Sequence, residues 1–383
     1  MGMKLPASLS VMLSKLFITL FSTTQFATVP SPPVITISPP TSNVAPARNM
    51  LVQFVAESSK CSDETLDTAA FLKSNVALIP VRPNDPLNNV DIEFRIDENG
   101  RALGVTKTGT DKFASWTSDI APAVAASRFT PGKSRFGCTV KYVPHISEIA
   151  DAPLNTVFEY SIFPNMGNQR PIFDRLKPDG ATCFNSAPAV LTRAYPDFTK
   201  IPATPGQTDW SMTQFDIDAS GKPVNLRTVG GTGSNALDKT SRDAIARSEF
   251  AKEPKTGCLY PYRRVAGTLA APEFPEEDAF RSENANCPKD IIWATHHPAT
   301  YPDRFRKRYI EGWAIIVFDV APWGSTGNVR IAAAEPAADF GVAAKQVVEL
   351  RKVKDPGQGF TGCVERVVFK MGKPQPPSEG EGI

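Results

Sequence analysis

The chain has 383 residues and a mass of 41.5 kDa, enough for two or three domains. Its 41% hydrophobic content supports a packed core and excludes wholesale disorder. With 42 Lys+Arg against 40 Asp+Glu, the net charge of +2 lacks the basic excess of a protein built to hold nucleic acid. Proline is the unusual entry, 35 residues, nearly twice the average usage of ~5%; it predicts many turns and few long helices.

Residues 1–27 place Lys4 and Lys15 before a short apolar run, Leu16 to Phe21, and a polar exit ending at Ala27. That order predicts a secretory signal. An uncleaved anchor is the other reading, but a spanning helix needs about 20 predominantly apolar residues, and this run is shorter. Residues 28–47 hold six prolines in twenty residues, which predicts an extended spacer. Residues 373–383 (KPQPPSEGEGI) read as a disordered tail.

The six cysteines, taken in sequence order, fall into pairs: Cys61 and Cys138, Cys183 and Cys258, Cys287 and Cys363. The members are 77, 75 and 76 residues apart, and the second of each pair follows a glycine. An even count behind an export signal predicts disulfides. The sequence does not choose among the possible connectivities; the equal spacing favours this one. The close spacing of a zinc site is missing.

Between the cysteines one order of elements recurs. An alternating segment comes first: Ile92, Phe94, Ile96; then Thr213, Phe215, Ile217; then Ile316, Phe318, Val320. Alternation predicts half-buried strands. Asp97 to Gly100 and Asp218 to Gly221 read as hairpin turns. Ala321 to Gly327 reads as a longer loop at the same place. Second strands follow at Leu103 to Val105, Val224 to Leu226 and Val329 to Ile331.

A helical spacing then recurs: Trp116 to Phe129, Leu237 to Phe250 and Phe340 to Val353 are each thirteen apart. Ala123-Val124, Ala244-Ile245 and Val347-Val348 lie on the shared face, and Pro122 is expected to shorten or kink the first helix. A last strand closes each unit, and Val157 to Phe163 also alternates like a strand. Upstream, Tyr195-Pro196 and Tyr301-Pro302 are placed to open short helices, where the first unit has only Ile79-Pro80.

This order resembles the TonB C-terminal domain family. The second unit carries it best, through Tyr195-Pro196, Phe215 to Gly221, Leu237-Asp238, Ala244-Ile245 and Phe250. The third matches through Tyr301-Pro302, Glu311-Gly312, Phe318 to Val320, Asn328-Val329 and Val367 to Phe369. The expected fold class is α+β: three tandem units (48–165, 166–272, 273–372), each a small antiparallel sheet with helices packed on one face.

The resemblance implies a periplasmic module that binds a protein or peptide strand, such as a segment of an outer-membrane transporter, by sheet-edge addition. The alternative it implies is an inner-membrane-anchored energy transducer, in which the N-terminal segment is retained and contacts the membrane. The expected contact strands run Thr139 to Val143, Tyr260 to Arg263 and Val364 to Phe369.

No enzymatic constellation, cofactor or metal is expected. The G-x-S-x-G elbow, P-loop and H-E-x-x-H patterns are missing from the sequence. His296-His297 with Asp290 and Asp303 lacks a third ligand at metal spacing, and Gly230 to Gly233 reads as a strand-to-helix connection rather than a phosphate cradle. The basic run Arg304, Arg306, Lys307, Arg308 reads as a solvated helix face, and Glu276 to Asp278 as linker charge.

Overall fold

The computed structural model describes residues 46–62, 64–83, 87–109 and 115–372. The predicted signal, almost all of the spacer and the tail lie outside them. The described residues form a mixed α+β structure of antiparallel sheets. No helix among them is long and apolar enough to cross a membrane.

The first sheet begins with a long strand, β1 (Arg48–Cys61), flanked by β2 (Glu64–Thr65) and β3 (Ala77–Val81). Then come the hairpin β4 (Val90–Ile96) and β5 (Ala102–Thr108), the short helix α1 (Ile120–Ala126), and β6 (Arg135–Ser147). The order is β2-β1-β6-β4-β5, with β3 also paired to β1. Ile79-Pro80 thus lies in a strand, not at the start of a helix. Trp116 is 39% exposed in a tight turn and anchors no core. The helix starts four residues later, at Ile120, and carries Pro122 in its first turn, where the missing N–H costs nothing.

Two helices follow, α2 (Leu154–Ile162) and α3 (Arg170–Leu176). The strand expected over Val157 to Phe163 is therefore a helix. Val157, Phe158, Ser161 and Ile162 are buried at helical spacing, after Pro153 at the cap; the alternation of Phe158, Tyr160 and Ile162 coincided with that stripe.

The second sheet has β8 (Asp209–Ile217) at its centre, between β9 (Pro223–Gly231) and β11 (Lys255–Arg264). Helix α4 (Asn235–Ala246) follows the hairpin, and β10 (Glu249–Phe250) pairs with β7 (Val190–Thr192). The third sheet places β12 (Gly312–Val320) between β13 (Thr326–Glu335) and β14 (Phe360–Phe369), with α6 (Ala338–Leu350) after its hairpin. The Tyr-Pro pairs precede a single 3-10 turn at Phe198–Lys200 and helix α5 (Asp303–Lys307).

The three hairpins share one device. Gly100, Gly221 and Gly324 all take positive φ, the region open to glycine. Each accepts a hydrogen bond on its carbonyl from the residue that ends the thirteen-residue spacing: Phe129 at 2.9 Å, Phe250 at 3.0 Å and Val353 at 2.8 Å. A Cβ on any of them would collide with that same residue's carbonyl oxygen. The third turn, Ala321 to Gly324, closes with Gly324 N–H donating to Ala321 O at 2.8 Å. It is the same four-residue turn as the others, not a longer loop.

The first and third sheets share one hydrophobic core. Phe94, Ile96, Val124 and Phe129 belong to the same cluster as Phe305, Phe318, Phe340 and Val348. Helices α2 and α3 fill a second core between Leu51 and Leu78 of the first sheet and Trp210 and Met212 of the second. The second sheet keeps its own smaller core under α4. Trp313, Ile315 and Val317 on the outer face of the third sheet are covered by residues such as Ala271 and Phe280.

Candidate functional site

The six cysteines form the three expected disulfides, Cys61–Cys138, Cys183–Cys258 and Cys287–Cys363. The first joins neighbouring strands β1 and β6. The other two tie a preceding segment to the start of β11 and of β14. At those ends the edges are also capped by backbone bonds: Thr182 N–H donates to Thr256 O at 3.0 Å, and Asn286 N–H to Thr361 O at 3.2 Å.

The three expected contact strands differ. Thr139 and Val143 lie on β6, which pairs with β1 on one side and β4 on the other. Its edge is closed, because β1 precedes the recurring order and occupies it; the first unit offers no partner strand at Thr139 to Val143. Tyr260 and Arg263 lie on β11, and Val364 and Phe369 on β14. Among the described residues both are outermost strands, β11 paired with β8 and β14 with β12. Among the described residues, no further strand pairs with the far side of β11 or of β14.

The surroundings of the two edges differ in charge. Beside β14, Arg351 pairs with Glu365 at 2.9 Å and Arg366 with Glu277 at 3.3 Å. Glu277 opens a 3-10 turn, and Asp278 holds Arg281 and Lys289 at 3.0 and 2.7 Å, so this acidic stretch binds down a segment over the third sheet instead of serving as linker charge. Beside β11, Arg193 lies 4.6 Å over the Tyr260 ring and donates to its hydroxyl at 2.6 Å. Tyr260 packs edge-on to Tyr262, and Tyr262 to Tyr195. Arg247, just past the end of α4, donates to Tyr195 O at 3.3 Å. Burial raises the Tyr260 and Tyr262 hydroxyls above the usual phenol range, against the neighbouring arginines.

A buried charged junction binds the sheets together. Arg308, read as part of a solvated face, is buried against Asp119, with both side chains 7% exposed. Nε and Nη2 donate to the two carboxylate oxygens at 2.9 and 2.6 Å. The same guanidinium donates to Lys73 O at 3.1 Å and Gly206 O at 3.3 Å. Its neighbours on α5 do face outward, where Arg306 and Lys307 pair with Asp303.

The segment Leu72–Leu78 runs through this junction and is held by side chains on all sides. Leu72 O accepts from Tyr142 at 2.7 Å, and Ser74 O from Gln53 at 3.0 Å. Asn75 N–H donates to Asp119 at 2.7 Å, Val76 N–H to Glu159 at 3.3 Å, and Leu78 N–H to Asn165 at 2.8 Å. Desolvation pushes the Glu159 carboxyl up to about 7, only partly offset by donors from Val76 and Gln53 and by the charge of Arg308. This junction escaped the sequence because its members are remote in the chain.

His296 and His297 sit in an exposed loop, and no metal-holding group of His, Cys, Asp or Glu occurs among the described residues. Thr232, in the glycine-rich connection after β9, accepts from Trp210 N–H at 3.2 Å and serves the sheet. Compared with known proteins, the chain matches no family model and no curated sequence.

Proposed function

We propose that the chain is an exported binding protein of three divergent TonB C-terminal-like units, which captures protein partners by strand addition. The carrying observation is the pair of open strand edges, Leu259–Arg264 and Val364–Phe369, each pinned at one end by a disulfide. An edge strand offers unpaired N–H and C=O groups as a ready template for another chain. The recurrence of hairpin glycine, helix and closing hydrogen bond in all three sheets supports the three-unit reading. The three disulfides fit an oxidising compartment such as the periplasm.

The test is site-specific photocrosslinking in a Gram-negative host. A benzophenone side chain replaces Tyr260, Arg263 or Val368 at the open edges, and Thr139 in the closed strand as control. Adducts at the edge positions that map to one extended partner segment, with none at Thr139, are expected. Equal labelling of all positions, or none at the edges, would sink the reading.

A further inference from the structure

The two open edges are chemically unlike. Beside β14 the arginines are neutralised by this chain's own carboxylates, Glu365 and Glu277. Beside β11, neither Arg193 nor Arg247 reaches a carboxylate within ion-pair distance among the described residues; their polar contacts are the Tyr260 hydroxyl and the Tyr195 carbonyl. Arg193 acts on both the Tyr260 and the Tyr262 hydroxyl, and Arg247 on Tyr262, against the raising effect of burial and of the neighbouring tyrosines. Asp243 does feel Arg247, but Lys239 takes it up at 2.7 Å.

Tyrosine and arginine are the residue types that anchor interfaces. Tyr195 is 48% exposed, so its ring presents contact area beside the edge. Arg193 is held in place by the Tyr260 ring and hydroxyl, which orients its remaining N–H donors. A fixed guanidinium loses less entropy on meeting a carboxylate than a free one does.

We infer that the β11 edge takes an extended acidic peptide, its backbone pairing along Leu259–Arg264 and its carboxylates meeting Arg193 and Arg247 beside the tyrosine cluster. This rests on the strand-addition reading and adds the chemistry of the partner. The charge of the site selects it: a carboxylate supplies the counter-ion that Arg351 and Arg366 beside β14 already have and that Arg193 and Arg247 lack among the described residues. Spacing in a strand brings alternate side chains to one face, so acidic residues at every second position suit the site.

The test uses the full, oxidised exported chain and a fluorescent probe, Thr-Glu-Val-Glu-Val-Glu-Thr, with its glutamine isostere as comparison. Anisotropy reads affinity and amide hydrogen exchange reads protection of 259–264. The Glu probe is expected to bind at least about tenfold tighter than the Gln probe, with both protecting β11. Arg193→Gln and Arg247→Gln each lower affinity for the Glu probe about tenfold and leave the Gln probe unchanged. Arg193→Lys, which keeps the charge, retains part of it, and near-ultraviolet circular dichroism verifies folding.

Equal affinity of the two probes with β11 protected overturns the acidic partner but leaves strand addition standing. Glu-probe binding that needs the arginines but leaves β11 unprotected overturns strand addition at this edge. Binding of neither probe overturns the inference. Vesicles of phosphatidylglycerol that compete through the same arginines, without β11 protection, would replace the peptide with a membrane surface.

Discussion

Glu159 is a carboxyl that the fold holds in its neutral form at higher pH than usual. Its folded pKa is about 7, above the ordinary 4.5. The folded state therefore binds a proton more tightly than the unfolded chain between those values, and this contribution to stability is complete below about pH 4.5 and lost as pH rises through about 7. Urea denaturation between pH 5 and 8 is expected to show a decline of the order of 1–2 kcal/mol, and Glu159→Gln is expected to flatten it. An unchanged slope in the variant would place the titration elsewhere. The Asp119–Arg308 pair is buried, and its two charges satisfy each other. Arg308→Met strands a buried carboxylate and is expected to cost about 3–5 kcal/mol, whereas Asp119→Leu combined with Arg308→Met recovers much of it. Simple additivity of the two single losses would show that the pair is not coupled.

At the scale of elements, the parts legible in the sequence are those governed by local rules. Alternation located β4, β8 and β12, helical spacing located α4 and α6, and turn chemistry located two hairpins outright. The third hairpin was obscured because Pro322 and Trp323 stand where Asn or Ser would signal a turn, yet Gly324 does the same conformational work as Gly100 and Gly221. Gly221→Ala is expected to cost at least about 1–2 kcal/mol, since it meets both positive φ and the Phe250 carbonyl. Gly104 also has positive φ but open space around it, and Asn225 and Asn328 hold that conformation after the other two hairpins. Gly104→Asn is therefore expected to be nearly neutral, and thermal melts of the two variants separate steric from conformational cost. Long strand β1 and helix α2 were less legible, because β1 has no counterpart in the recurring order and the apolar run of α2 fits either period. The junction was illegible in principle: Arg308 and Asp119 are 189 residues apart, and nothing local marks either as buried.

At the scale of the whole molecule, a recurring order of elements does not imply separable domains. The α+β layers were legible, as were the disulfides, and the expected unit is a small sheet with helices packed on one face. The apolar face of the third sheet instead closes on the first, through Phe305, Phe340 and Val348 in one cluster with Phe94 and Val124. Polar contacts cross the same boundary. Glu335 accepts from Arg95 at 2.7 Å and from Gly104 N–H at 2.6 Å, and Val105 N–H donates to Pro336 O at 2.9 Å. A fragment of residues 273–372 would expose half of that core and leave the Arg308 guanidinium without Asp119. Hydrophobic burial is the main favourable term in folding, and net stability is only about 5–15 kcal/mol, so such losses suffice to unfold the piece. The fragment is expected to melt without a cooperative transition even with Cys287–Cys363 formed, while the exported chain melts with the first and third sheets together. Circular dichroism on the fragment, with hydrogen exchange on the intact chain, decides this. A sharp transition in the fragment, or exchange in β12 independent of β4, would restore three self-sufficient units and make the shared core incidental to stability.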